Sequence, residues 1–258
     1  MKRGVRYIAL GMLLAFSMFL TACGTSGGGS ADAGEKVYVV GTDATYAPME
    51  YMDDKGNIVG IDIEIVNAIA EAAGIKVEYK NYGWEPLFSA VKNEEVDFAV
   101  SSITITDDRK KEYDFTDPYF IANQLILVPE DSPVESFKDL KDKKVAVQIS
   151  TTGHKVVEKL LGKTSANILA PESMPLAIQE MIIGNADAAV GDNFVLLDYQ
   201  KNNPNVKLKT INDDSFEKEY YGLMVKKGNE ELVEILNEGI KKIKESGKLE
   251  ELAGFKVE

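Results

Sequence analysis

Short apolar runs alternate with stretches of helical period from Val37 to the end of this 258-residue chain, and that alternation constrains the fold more than any other feature. Strand-like runs occur at 37–40, 77–80, 98–100, 144–148, 168–169, 188–190, 206–210 and 220–225. Helical patterns occupy 61–73, 85–92, 153–161, 173–183, 193–201 and 230–245. Ile61, Ile65, Ile69 and Ala72 share a face in the first of these, and Leu232, Leu236, Ile240 and Ile243 in the last. Gly74, Gly162, Gly184 and Gly247 are placed as helix stops, and Ser173 and Asn229 as caps. Glu230 and Glu231 open the last helix while Lys241, Lys242 and Lys244 close it, the order that the helix dipole favours. Strands separated by crossover helices predict an α/β fold with largely parallel sheets. The apolar stretch 119–129 has no stop signal before Pro129. The two halves share a strand-loop-helix rhythm without a repeated signature, which favours two similar lobes over a solenoid.

Hydrophobic residues at 45% and charged residues at 28% describe a globular chain, long enough for one large domain or two lobes of roughly 100–150 residues. A formal net charge of −13 argues against nucleic acid, whose phosphates need clustered Lys and Arg. One Cys allows no internal disulfide. The single His154 offers neither a His-rich metal site nor alternatives for a Ser-His-Asp triad, and reads as a surface residue at a helix N-terminus.

Residues 1–22 read as an export signal. Lys2, Arg3 and Arg6 precede an apolar run at 7–20, shorter than the ~20 residues of a spanning helix. Leu20-Thr21-Ala22-Cys23 then matches a bacterial lipobox, in which the thiol is acylated and becomes the first residue after cleavage. The only Cys of the chain stands at the one place that signal demands. The Gly- and Ser-rich segment that follows, to residue 34, reads as a flexible tether. A lipid-anchored body on the extracellular face of the cell membrane is the expectation.

In open α/β sheets ligands bind beyond the carboxyl ends of strands, where loops feed helices. Four such loops are rich in polar residues: 41–48, 101–109, 148–153 and 191–193. Thr106 suits an N-cap with Asp107 and Asp108 in the first turn, which puts Arg109 where a cation opposes the dipole. A guanidinium beside free helix N–H groups is a strong carboxylate receptor. An exposed Arg109 paired with Asp107 or Glu112 is an equal reading. Thr151-Thr152-Gly153 offers hydroxyls and amides to an anion, or is a plain cap. Asp192 suits an ammonium or, more simply, the cap of helix 193–201. Asp43 fits a turn. Tyr46 suits the core, while Trp84, just after Gly83 at a strand-to-helix junction, occupies a position less often in a core.

From Lys36 onward the chain resembles the bacterial extracellular solute-binding proteins of the polar amino-acid family, the binding components of ABC importers. The resemblance rests on Gly41-Thr-Asp-Ala-Thr-Tyr-Ala-Pro-Met-Glu-Tyr51, Gly60-Ile-Asp-Ile-Glu-Ile65, Asp97-Phe-Ala-Val-Ser-Ser-Ile-Thr-Ile-Thr-Asp-Asp-Arg109 and Phe115-Thr-Asp-Pro-Tyr119. Val145-Ala-Val-Gln-Ile-Ser-Thr-Thr-Gly153, Asp187-Ala-Ala-Val-Gly-Asp192 and Gly247-Lys-Leu-Glu250 complete it. Thr104 stands where many relatives carry Ser, and Met49 where they carry Phe.

That resemblance implies an α/β, two-lobe, periplasmic-binding-protein-like fold of type II, its lobes joined by two crossing hinge segments near 121–125 and 220–222. Lobe one would comprise 35–121 and 222–258, and lobe two 122–221. It implies that Arg109 grips a ligand α-carboxylate, helped by Thr104 and the Thr151-Thr152 amides. Asp192 takes the α-ammonium with Ser101 and Ser102. Asp43, Tyr46 and Trp84 line the side-chain pocket, bordered by Gln148. No cofactor, metal or catalytic residue is implied, and the macromolecular partner is a membrane permease. The Val-Gln-Ile-Ser-Thr-Thr-Gly and Val-Gly-Asp-Asn runs look most like the arginine/lysine/histidine-binding branch. Glutamine is the alternative ligand, because glutamine-binding relatives also carry Asp and aromatics at the positions of Asp43, Tyr46 and Trp84. A dehydratase- or lyase-like enzyme on this scaffold and a sensor or adhesion lipoprotein are the competing functions.

Overall fold

A computed structural model describes residues 36–257, so the expected export signal, Cys23 and the tether lie outside the described residues. Two five-stranded sheets form two lobes. In the first sheet Val37–Thr42 lies between Lys76–Asn81 and Phe98–Ala99, all parallel. Met224–Lys226 pairs antiparallel with Phe98–Ala99, and Tyr113–Phe115 pairs with its other side. The second sheet repeats this order. Val145–Val147 lies between Ile168–Leu169 and Ala188–Asp192 in parallel, Gln124–Pro129 pairs antiparallel with the latter, and Leu208–Ile211 forms the edge.

Each sheet therefore has one reversed strand, which the expectation of largely parallel sheets did not include. The reason is connectivity. Both reversed strands, Gln124–Pro129 and Met224–Lys226, follow a segment that crosses between the lobes, and they enter their sheets from the opposite end. The crossing segments are Phe120–Ala122 and Glu219–Tyr221, paired antiparallel. The apolar run 119–129 is thus two strands that part at Asn123, whose carbonyl accepts the Asn193 N–H at 2.9 Å. The run 220–225 likewise divides, around Gly222. A Cβ on Gly222 would lie 2.8 Å from the Ile105 side chain and 3.3 Å from the Thr116 carbonyl, so the close passage there needs glycine. Phe120 stacks on Tyr221 at 5.7 Å between ring centroids and braces the crossing.

The helices form where the apolar periodicity places them. Ile61–Ala73 buries Ile65, Val66 and Ile69 and packs on Glu230–Glu245. Gly239 lets the two backbones approach, since a Cβ there would lie 2.6 Å from the Ile69 carbonyl. Full burial of each such Ile or Leu contributes about 1.5–3 kcal/mol. Asn229 caps Glu230–Glu245, accepting the Leu232 N–H at 3.3 Å. The strand Tyr113–Phe115 was not foreseen, nor were other local features. Gly247 does not end the chain's helices but turns it into a further helix, Lys248–Ala253, which buries Leu249 and Ala253. The loop after Val37–Thr42 folds into a small antiparallel sheet of Thr45–Tyr46, Glu50–Met52 and Ile58–Val59. Among the described residues no helix is long and apolar enough to cross a membrane.

Candidate functional site

Every residue expected at the site lines one cavity. From the first lobe come Asp43 and Tyr46, beyond the strand Val37–Thr42, and Trp84, the first residue of the helix Trp84–Lys92. Ser101, Ser102 and Thr104 follow Phe98–Ala99, and Arg109 lies in the short helix Asp107–Glu112. From the second lobe come Gln148, beyond Val145–Val147, Thr151 and Thr152 at the start of Thr152–Leu161, and Asp192 at the end of Ala188–Asp192. The cavity thus lies beyond the carboxyl ends of strands of both sheets, where their loops meet.

Arg109 is not the exposed partner of a helix neighbour. Thr106 caps its helix, accepting the Arg109 N–H at 3.2 Å. The guanidinium lies 5.3 Å from the ring centroids of Trp84 and of Phe88, and Nη1 donates to the Thr104 carbonyl at 2.8 Å. Glu112 pairs with Lys92 instead, at 2.9 Å. Burial draws the Arg109 pKa down to about 10, against the opposing pull of Glu219 and Asp192, so it is a cation at neutral pH.

Asp192 stands at the N-cap position of Asn193–Asn202, yet its side chain caps nothing. It accepts instead from Gln124 Nε2 at 2.6 Å, from the Tyr221 hydroxyl and from Tyr46. Burial pushes its carboxyl up to about 7, with the charge of Glu219 adding to the effect and those hydrogen bonds opposing it. Asp43, 3% exposed, accepts from the Thr45 hydroxyl at 3.0 Å and from Gln148 Nε2 at 3.3 Å; burial raises its pKa.

The threonines are not free hydroxyl donors. Thr151 caps Thr152–Leu161 through the His154 N–H at 3.1 Å, and its hydroxyl donates to the Gln148 carbonyl at 2.8 Å. The Thr104 and Thr152 hydroxyls both donate to Glu219, at 2.6 and 2.7 Å. Each hydroxyl has one hydrogen, so none of the three is left to donate to an anion in the cavity. Trp84 departs from expectation too: it is 8% exposed, starts a helix and packs with Leu87, Ala90 and Ile103. Its aromatic face serves core and cavity together. His154 is half-buried rather than superficial, and its Nδ1 accepts the Ser150 N–H at 3.1 Å.

Three residues join the site unannounced. Glu219 ties Thr104 of the first lobe to Thr152 of the second, and accepts from Gln124 Nε2 at 2.9 Å. Gln124 links Glu219 to Asp192. Glu50, fully buried, reaches the cavity wall from the small sheet. In a chain with 42 acidic residues neither acid stands out locally; an acid inside the apolar Pro48-Met49-Glu50-Tyr51 run was the one available signal for Glu50. Among the described residues no group of three or more His, Cys, Asp or Glu side chains is placed to hold a metal.

Known proteins share this architecture. The chain is 40% identical over 244 residues to a probable histidine-binding protein of Neisseria gonorrhoeae, covering 93% of this chain and 91% of that one. It is 32% identical over 247 residues to the arginine-binding extracellular protein ArtP of Bacillus subtilis, covering 96% of both. The crystal structure of the arginine-, lysine-, histidine-binding protein ArtJ from Geobacillus stearothermophilus superposes with a TM-score of 0.81 at 48% identity, over 84% of this chain and 93% of that one. Residues 38–254 match the description "Bacterial extracellular solute-binding proteins, family 3" over nearly all of the described body. The chain belongs to that family of extracellular solute-binding proteins.

Proposed function

We propose that this chain is the substrate-binding component of an ABC importer for a cationic amino acid, arginine before lysine and lysine before histidine. The observation that carries the reading is the opposition of a half-buried cation, Arg109, and a buried carboxylate, Asp192, on the wall of one cavity that also holds the carboxylate of Asp43. A zwitterion matches the first two: carboxylate on Arg109 and the helix amides, ammonium on Asp192 with Ser101 and Ser102. Tyr46, Trp84, Asp43 and Gln148 then receive the side chain. A guanidinium stacks well on such rings, a contact of about 0.5–2 kcal/mol depending on burial. A neighbouring groove that shares Asp43 and Trp84 is lined also by Glu85, Glu95 and Glu172 and by no Lys or Arg, a field that attracts cations. The relatives named for histidine and arginine support the same class.

In this reading lobe one (35–121 with 222–258) and lobe two (122–221) close on the ligand about the crossing segments. Cys23 carries the lipid that holds the body at the membrane beside its permease. Cys23→Ser would then leave the protein unprocessed or in the medium, and a correctly cleaved, membrane-bound variant would contradict the anchor. No catalysis is assigned. Glu50 adds a third carboxyl to the two expected in the cavity, but its partners are Ser101 and Asp62, and arginine recovered unchanged after long incubation would be the result for a binder.

One contact favours glutamine as the second reading: the Gln148 amide already satisfies Asp43, so a ligand amide would too. Competition between arginine and glutamine separates them. A buried carboxylate loses more when its partner is neutral than when it is an ion, so arginine should win and Asp43→Asn should weaken arginine at least about tenfold. Glutamine winning, or arginine affinity within a few-fold in Asp43→Asn, would leave only the α-amino-acid clamp standing.

A further inference from the structure

We propose that Glu50 is a positioning residue: it draws the hydroxyl hydrogens of Ser101 and Ser102 away from the cavity, so that both serines present acceptors and select an ammonium over a hydroxyl at the ligand α-position. The inference rests on the reading that the cavity binds an α-amino acid.

A serine hydroxyl has one hydrogen and two lone pairs. Ser101 Oγ donates to Glu50 Oε1 at 2.7 Å and accepts the Asp43 N–H at 3.1 Å. One lone pair is left, and Ser101 lines the cavity. Ser102 Oγ lies 3.4 Å from both Glu50 Oε2 and Asp62 Oδ2, so its hydrogen is drawn to the same pair of carboxyls. An ammonium has donors and no acceptor, so it complements two such serines. A hydroxyl that turned its hydrogen into the cavity would oppose it.

The pair behind the serines is built to hold this polarity. Glu50 and Asp62 are both fully buried and hydrogen-bonded to each other. Asp62 Oδ2 accepts from the Ser102 N–H at 2.7 Å and the Tyr119 hydroxyl at 2.9 Å, while Oδ1 finds no N–H or hydroxyl donor among the described residues. That leaves an acceptor for a proton on Glu50. Burial, with the charge of Asp62 beside it, holds the Glu50 carboxyl protonated well above the ordinary carboxylate range. A neutral Glu50 can accept from Ser101 through one oxygen and donate to Asp62 through the other. Two buried carboxyls thus stand without a cation, and the arrangement does not compete with Asp192 for the ligand charge.

The test compares L-arginine with its α-hydroxy analogue, 2-hydroxy-5-guanidinopentanoate, by calorimetry on the wild type and three variants. Glu50→Gln keeps an acceptor for Ser101 and a donor for Asp62, so its preference for arginine should stay within about threefold of wild type. Glu50→Met removes the acceptor, and Ser101→Ala removes the hydroxyl; each should lower the preference by about tenfold or more, through loss of arginine affinity. A purely structural role for Glu50 would weaken both probes equally, and that outcome overturns the proposal. So does Glu50→Gln behaving like Glu50→Met, or an unchanged preference in Ser101→Ala. Should Glu50→Met fail to fold, Ser101→Ala and Glu50→Gln decide alone. Wild type that ignores arginine refutes the amino-acid reading and this inference with it, whereas wild type that binds arginine with unaltered preference in the variants refutes this inference alone.

Discussion

Arg109→Ala is expected to weaken amino-acid binding by roughly 100-fold or more while the fold survives. Hydrogen bonds to charged groups contribute about 1.5–3 kcal/mol each, and a guanidinium can give a carboxylate two of them in parallel. The ligand carboxylate would also be left facing Glu219 and Asp192 without their intervening cation. Folding should tolerate the change because the Thr106 cap uses the Arg109 backbone N–H, which the variant keeps. Arg109→Lys keeps the charge but not the planar fork or the contacts with Trp84 and Phe88, so it should fall between the two. Calorimetry together with thermal melting checks this; undiminished affinity in Arg109→Ala would remove it from the site.

Asp192 should make binding pH-dependent. Burial pushes its carboxyl up to about 7, where it is faced by Tyr46, Tyr221, Gln124 and Glu219, with Arg109 nearby. An ammonium needs it ionised, so binding below pH 7 must expel a proton. Affinity is expected to rise from pH 5 to about 8 and then level off, by up to about tenfold per unit at the acid end. The same shift has a stability consequence of known sign. A carboxyl raised in the folded state binds more protons there than when unfolded, so this group's contribution falls as pH rises from about 4 to about 7. Ligand should offset that loss, and the melting temperature should gain most from arginine near pH 8. Asp192→Asn should abolish the pH dependence and weaken binding about 100-fold at pH 8. Affinity that is flat across this range in the wild type would contradict the role given to Asp192.

Periodicity carried much of the fold. The helix over 61–73 is readable because an apolar stripe and the stop at Gly74 agree, and the helix over 230–245 because its stripe, the Asn229 cap and Gly247 agree. The reversed strands were not readable, because nothing local in Gln124–Pro129 records which sheet lies next to it or from which end the chain arrives. The break at Asn123 is likewise set by a contact with Asn193, far along the chain. At the site, loops after strands pointed to the right residues, and Arg109 was marked by its conflict with the helix dipole. What those residues do was legible only in part. Asp192 looked like a cap, and only the neighbouring Gln124 and Tyr221 show where its carboxylate goes. The hydroxyls of Thr104 and Thr152 looked available until Glu219, over sixty residues beyond either, was seen to accept both. Residues that act through partners distant in the chain leave no local signature.

The central claim is that one α-amino acid spans the cavity, carboxylate to Arg109 and ammonium to Asp192. Titration of L-arginine and Nα-acetyl-L-arginine into the purified protein by calorimetry tests it most directly, because acetylation removes the ammonium and leaves carboxylate and guanidinium untouched. The account predicts saturable one-to-one binding of arginine and none of the acetylated ligand at the same concentrations. Equal binding of the two, or no binding of either, would contradict it.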